Sequence, residues 1–450
     1  MEFTELTIMQ QIWMVISYPF RFIWKYFVVV VMFVVDAIIF ISMGLCKAAL
    51  MTIIPYWYLM LYIDYRFVLR YLYFWKSPES KDIQQEWYLE RSKYMSERAQ
   101  TWDRKDTAEF LLNNAIYFVI MFLILIVIIM EPSFLSIRVF RNIFTQSSVR
   151  LILALGVGGI IILQGTDLSL GRSLGFAAII TASLLQAFDY GSRFYETLPD
   201  IVWTTKMVDG ELITTFKMWF YLVPLFLAMG VSAFFSMING FVVSVFKVHP
   251  FLATLGASVA LYGILSMYFS SGDPGPQPIG GFDPLWEEFI IGEIFGIPLL
   301  IIYAIIVIIV IWTVWNKTTF GKNMYAVGGN PEAAKISGVS VVKTTVMVYI
   351  LAGMLYGLGG YLEVARIGSA SNATGINYEL DAIAACVVGG ISFSGGIGKI
   401  SGAITGVLMF TIISYGMNFL GLDVFFQYMI KGVIIVLAVA LDTRKYIKKT

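Results

Sequence analysis

Ten apolar stretches follow one another along most of this chain, at about 111–130, 149–164, 173–188, 218–246, 250–270, 298–315, 342–364, 379–393, 400–419 and 423–441. A bilayer's hydrocarbon core is about 30 Å thick, and a helix needs about 20 apolar residues to cross it. Backbone inside that core must satisfy its own hydrogen bonds, so successive apolar spans imply helices. The expected fold class is therefore an all-α polytopic membrane protein with a ten-helix core. Composition agrees: 58% of the 450 residues are hydrophobic and 14% are charged. Soluble domains carry about 45–50% apolar and about 25% charged residues. Two of the ten spans are short and rich in small residues, which suits helices buried in protein.

The same composition excludes several function classes. A net charge of +1 offers no field for nucleic acid, so no nucleic-acid partner is expected. One histidine, His249, removes multi-histidine metal sites, and no metal site is expected. Cys46 and Cys386 both lie in apolar stretches and read as small core hydrophobes. No phosphate-binding G-x-x-x-x-G-K-[ST] occurs, and Gly396-Ile397-Gly398-Lys399-Ile400 has neither the spacing nor the hydroxyl. If nucleotide drives this protein, another chain binds it.

Residues 1–75 form an aromatic-rich apolar extension with runs at 26–46 and 48–63, interrupted by Asp36 and Lys47. Arg21, Lys25, Arg66, Arg70 and Lys76 flank both ends, which favours a hairpin or an interfacial layer over a single crossing. Residues 76–108 are the one long polar interruption. Trp87, Tyr94 and Trp102 suit either a surface helix with an aromatic stripe or a solvated cytoplasmic linker. The ten-span core then runs over 109–450. Placing both core termini in the cytoplasm gives the cytoplasmic segments more than twice the Lys and Arg of the opposite loops, as the positive-inside rule requires. In that count Arg138, Arg141 and Arg150 belong to a loop on the far side.

Four stretches differ from ordinary transmembrane sequence. In Gln164–Gly171 (QGTDLSLG), glycines bracket Asp167 and Ser169 where the backbone must leave helical geometry. Their oxygens either cap the next helix or line a polar cavity. Gly375–Ala382 (GINYELDA) places Glu379 and Asp381 at a helix start, where the dipole favours carboxylates. Both stretches precede the second helix of their half, the arrangement of an inverted repeat, and are expected near opposite ends of one pathway. Asn330 can cap a helix from Pro331 through Glu332, Ala333, Ala334 and Lys335 to Gly338, in a segment on the basic side. Such a helix serves as a contact element or as a connector. Val388–Lys399 is a glycine-rich turn. Within the spans, Asn239 and Lys431 are functional candidates by default, although one hydrogen bond and one paired carboxylate would satisfy them. His249 stands at a span boundary, and Asn372-Ala373-Thr374 and Asn316-Lys317-Thr318 match the glycosylation pattern.

QGTDLSLGRSLGFAAIITASLLQ (164–186), WNKTTFGKNMYAVGGNPEAAKISGVSV (315–341), EVARIGSASNATGINYELDAIAACVVGGISFSGGIG (363–398) and QYMIKGVIIVLAVALD (427–442) together resemble the ribose/galactose permease family of bacterial sugar ABC importers. The TDLS-G-R and NYELDAIAACVVGG forms resemble galactoside-type members more than ribose-type ones. The resemblance covers about 109–450 and leaves 1–108 unmatched. It implies the membrane subunit of an importer for galactose, methylgalactoside or another monosaccharide such as ribose or glucose. A second permease copy would complete a homodimer, with two ATP-binding subunits below and a periplasmic or lipid-anchored sugar-binding protein above. It implies residence in the bacterial inner membrane and no cofactor in this chain, ATP and Mg being used by the ATPase. Asn330–Gly338 then matches the family's ATPase-coupling helix. A secondary sugar transporter coupled to protons or sodium is the alternative, with Asp167, Glu379 and Asp381 as its carriers.

Overall fold

The computed structural model describes residues 115–188, 190–195, 202–208, 211–273 and 275–447, and the readings made of 1–108 lie outside them. The compact unit Val119–Thr450 is the one considered below. Each of the ten apolar spans corresponds to one helix. These are α1 (Ala115–Met130), α2 (Ile137–Ile162), α3 (Leu170–Leu184), α4 (Leu222–Val245) and α5 (Pro250–Phe269), then α7 (Leu299–Lys317), α10 (Val341–Ile367), α11 (Tyr378–Val388), α12 (Ile400–Phe419) and α13 (Val424–Ile447). Three further helices, α6 (Pro284–Ile291), α8 (Thr319–Gly329) and α9 (Pro331–Ile336), complete the thirteen α-helices among the described residues. Six are long and apolar enough to cross a membrane unaided. The chain is a multi-pass membrane protein.

One boundary departs from expectation. α2 begins at Ile137, so Arg138, Arg141 and Arg150 stand on the helix and not in a loop. Ser136 caps the start by accepting from Val139 N at 3.4 Å, and arginine is a good helix former. Arg141 then reaches Glu293 at 2.8 Å.

The core is built around α10, which packs against α4, α3 and α2. Small residues bring the backbones together: a side chain at Gly357 would strike the Ala228 carbonyl of α4, and one at Gly360 the Leu174 carbonyl of α3. At one end of the bundle, β1 (Trp203–Val208) and β2 (Glu211–Phe216) form an antiparallel hairpin. The short strand β3 (Ile279–Gly280) pairs with β6 (Ser369–Ala370), and β4 (Glu293–Ile294) pairs with β5 (Ile297–Pro298). Buried Asp283 organises this end. It caps α6 by accepting from Leu285 N at 3.0 Å and Trp286 N at 3.2 Å, and it also takes Tyr221 Oη at 2.9 Å and Phe216 N at 3.1 Å. Trp286 Nε1 donates to Tyr361 Oη at 2.7 Å, tying α6 to α10.

α7 crosses from this hairpin end to the other, where α8 and α9 lie. Thr318 caps α8 through Gly321 N at 3.2 Å, and Asn330 Oδ1 caps α9 through Ala333 N at 3.0 Å. Gly338, at φ +83, ends it in the left-handed region that glycine favours.

Candidate translocation site

α3 has 15 residues and α11 has 11, about 22 and 16 Å of helix against a core of about 30 Å. Neither crosses alone. Each starts partway through the bundle, after a stretch of non-helical backbone that other helices must satisfy.

The break between α2 and α3 folds around Asp167, which is fully buried. Its Oδ1 accepts from Ser169 N at 2.9 Å and Ser169 Oγ at 2.6 Å, a turn closed by the side chain. Ser169 is the N-cap of α3, but its hydroxyl makes no cap bond, because it donates to Asp167 and accepts from Asn239 Nδ2 at 2.9 Å. Capping by these side chains is therefore replaced by a knot that joins the break to α4. The Tyr356 hydroxyl of α10 lies beside the same carboxylate. Thr254 of α5 accepts from Leu168 N at 3.1 Å and Tyr349 of α10 donates to the Thr166 carbonyl at 3.5 Å, so three helices, α4, α5 and α10, hold this break.

The second break lies between α10 and α11. Gly375, at φ +82, turns the chain, and Asn377 precedes α11 at φ +65 without a side-chain cap. The two breaks were expected at opposite ends of a pathway. They meet instead. A Cβ on Gly171 would overlap both the Gly375 carbonyl and Glu379 Oε2, while one on Gly375 would overlap the Gly171 carbonyl. Arg172 Nη1 donates to the Asn372 carbonyl at 3.4 Å. Because both helices are half-length, their N-termini converge inside the bundle and not at its surfaces. Asp381, one turn further, pairs with Lys431 of α13 at 2.9 Å.

A second charged group escaped the sequence reading. Glu363 is 2% exposed and takes Arg366 Nε at 2.8 Å, Arg366 Nη2 at 2.6 Å and the Tyr378 hydroxyl. Opposite charges three residues apart at the end of an apolar span were the available signal. Of the residues singled out, Asp167, Ser169 and Asn239 form one cluster, and Glu379 and Asp381 lie on the facing half-helix. Asn330 to Gly338 stands apart from both. His249 is the N-cap of α5 and makes no cap bond. Cys386 is buried, its Sγ 3.2 Å from the Ala154 carbonyl.

Backbone and two side chains link the α8–α9 end to these breaks. Gln164 Nε2, at the end of α2, donates to the Gly328 carbonyl of α8 at 3.0 Å and to the Ser394 carbonyl of the glycine-rich turn at 2.9 Å. Gly396 N donates to the Ile162 carbonyl at 2.8 Å, and Tyr325 Oη to the Gly398 carbonyl at 2.9 Å. A side chain at Gly328 would strike the Ile162 carbonyl, so glycine is required for this approach.

Discontinuous helices converging inside a helical membrane bundle are an arrangement that many membrane transport proteins share, and the family match below places this chain in that class. The chain belongs to the family described as branched-chain amino acid transport system / permease component, whose model matches residues 139–439. It is 45% identical over 351 residues to the galactose/methyl galactoside import permease protein of Haemophilus influenzae, covering 77% of this chain and 98% of that one. The Escherichia coli protein of the same description matches to the same extent. The ribose import permease protein of Bacillus subtilis is 34% identical over 325 residues, 72% of this chain and 90% of that one. No solved structure matches the chain.

Proposed function

We propose that this chain is the membrane permease subunit of an ATP-driven importer for galactose, methyl galactoside or a closely related monosaccharide. Two copies would enclose the pathway, with two ATP-binding subunits against the α8–α9 end and a sugar-binding protein against the hairpin end. The α8–α9 end would face the cytoplasm of a bacterial inner membrane, following its Lys and Arg. ATP would be hydrolysed, with Mg as its cofactor, by the partner, since this chain's sequence carries no phosphate-binding loop. The observation that carries the reading is 45% identity along nearly the full length of the galactoside permeases. The family description names amino acid transport, yet these relatives carry sugars.

The geometry supports a route for energy. Closure of the ATP-binding subunits would press on α9, whose Ile336 is 87% exposed. α9 continues from α8, and α8 is bound to the end of α2 through Gln164 and to the turn after α11 through Tyr325. Displacement at α9 therefore acts on both segments that begin or end the half-helices. Hydroxyl-rich solutes need hydrogen-bonding partners rather than a net charge, and Arg172 and Glu379 at the convergence cancel in charge.

The test is uptake by proteoliposomes holding the complete complex. Galactose uptake that requires ATP and both partners is expected, with no uptake of leucine or valine. Uptake driven by a proton or sodium gradient in this chain alone would replace the reading with a secondary transporter.

A further inference from the structure

One aromatic ring in the middle of α5 stands over the junction of the two half-helices. Tyr262 lies twelve residues into this 20-residue helix, about 18 Å along it, and is 42% exposed. The guanidinium of Arg172, in the first turn of α3, lies 4.4 Å from the ring centroid. Glu379 in the first turn of α11 approaches Gly171 beside it, within electrostatic reach of Arg172. Three elements thus bring an aromatic face, a guanidinium and a carboxylate to one place at mid-depth.

These polar heads retain unused capacity. Arg172 has five N–H donors, and the one side-chain hydrogen bond it makes among the described residues goes to the Asn372 carbonyl at 3.4 Å. Arg172 and Glu379 do not form a close ion pair, although they sit on adjoining turns of facing helices. Both are partly exposed on the unit. A guanidinium and a carboxylate facing lipid at this depth would cost several kcal/mol, so such groups face water or protein. α5 packs on α3 and α4 and leaves Leu255, Val259, Tyr262 and Met267 uncovered on its other side. A narrow aqueous passage along this side satisfies both the charges and the ring.

We infer that Arg172, Tyr262 and Glu379 form a contact station for a neutral sugar in transit, midway through the membrane. This rests on the sugar-import reading above. The ring offers a flat apolar surface to the C–H face of a pyranose. The guanidinium donates to ring hydroxyls and the carboxylate accepts from them, while their opposite charges leave no net field to hold an ion. The station is shallow and incomplete in one copy, as a transit contact should be: conduction needs binding weak enough to release.

The experiment uses the reconstituted complex with its ATP-binding subunits and saturating sugar-loaded binding protein. ATP-dependent galactose uptake by the unaltered complex is the control, and its failure would overturn the import reading itself. With that control positive, Arg172→Gln, which loses a charged hydrogen-bond donor to the sugar, should lower the maximal uptake rate about tenfold, and Tyr262→Leu, which loses the aromatic face, should lower it about fivefold. Tyr262→Phe should keep most of it, while sugar-free ATP hydrolysis and complex assembly stay unchanged. Full uptake in both variants, or loss of hydrolysis in parallel with uptake, would overturn the station. A second measurement does not depend on transport. Tyr262→Cys, in a chain carrying Cys46→Ser, should react with a charged, membrane-impermeant thiol reagent and be protected by galactose at high concentration. Reaction only with a lipid-soluble maleimide would place the ring in lipid and overturn the proposal.

Discussion

Lys431 Nζ donates to both carboxylate oxygens of Asp381, at 3.1 and 2.9 Å, and so ties the last helix to the second half-helix. Both side chains are about 15% exposed, so neither charge is fully solvated. Removing one partner of a buried pair leaves an uncompensated charge, which costs about 3–5 kcal/mol when burial is complete. For this partly exposed pair, Lys431→Met should lower stability by about 2 kcal/mol. Asp381→Asn with Lys431→Met should recover most of that loss. Thermal denaturation of the purified permease in detergent measures both, and additive losses would show that the pair is not coupled.

Asp167 tests the first break. Its Oδ1 serves Ser169 twice, and Asn239 in turn depends on Ser169. Asp167→Asn keeps an acceptor for Ser169, so transport should be largely retained. Asp167→Leu strands the Ser169 N–H and hydroxyl in a buried site, at a cost of about 2–4 kcal/mol, and should reduce folded yield. Normal yield with complete loss of transport in both variants would instead assign the charge an essential role.

Gln164 adopts φ +62, a backbone region unfavourable to a side chain, while its amide binds Gly328 and Ser394. Gln164→Ala loses both bonds and keeps the strain, whereas Gln164→Gly loses the bonds and relieves it. If the amide carries motion from α8 to α2, both variants should transport less sugar per ATP hydrolysed, with hydrolysis preserved. Should the residue serve stability alone, the glycine variant would be the more stable of the two and would couple normally.

The ten spans and the α9 cap were legible because periodic apolarity and a sequence such as Asn-Pro-Glu state local physics directly. Pairings between distant residues were not. Nothing in the spacing of Gly171 and Gly375 reveals that the side-chain position of each lies against the other's carbonyl, since that follows from two helices being too short to cross. Arg150 was placed in a loop because charge suggests solvent, although α2 simply begins earlier at the Ser136 cap. The hairpin end stayed hidden for another reason: Asp283 gathers donors from Phe216, Tyr221, Leu285 and Trp286, the first two brought by tertiary folding and the last two by a cap, neither of which composition announces.

Asp283→Ala removes the α6 cap and two long-range acceptors together. A cap alone is worth about 1 kcal/mol, and each buried donor left unpaired costs about 1–3 kcal/mol. The expected result is loosening of the hairpin end, read as faster amide exchange at Phe216 and Trp286. Nearby Glu287 adds a pH term, since burial, and then the Asp283 charge, push its carboxyl above the ordinary range. A raised carboxyl favours the protonated form in the fold, so its contribution is lost as pH rises through the folded value. Glu287→Gln should therefore gain thermal stability over the unaltered protein as pH increases, and an advantage largest at acid pH would contradict this.

The final prediction concerns residues 1–108. The family match begins at 139, and 351 aligned residues already cover 98% of the galactoside permease of Haemophilus influenzae. The fold around α10 draws on α2, α3 and α4, all later in the chain. A chain beginning near Trp102 should thus insert, dimerise and take up galactose when its partners are supplied. Uptake within about twofold of the full-length protein is expected, on the ground that relatives lacking a matching segment carry import names. If the shortened chain assembles stably with its ATP-binding partners, hydrolyses ATP and still carries no sugar, the extension takes part in translocation itself. Failure to assemble, with insertion intact, would assign it instead to holding the complex together beneath the membrane.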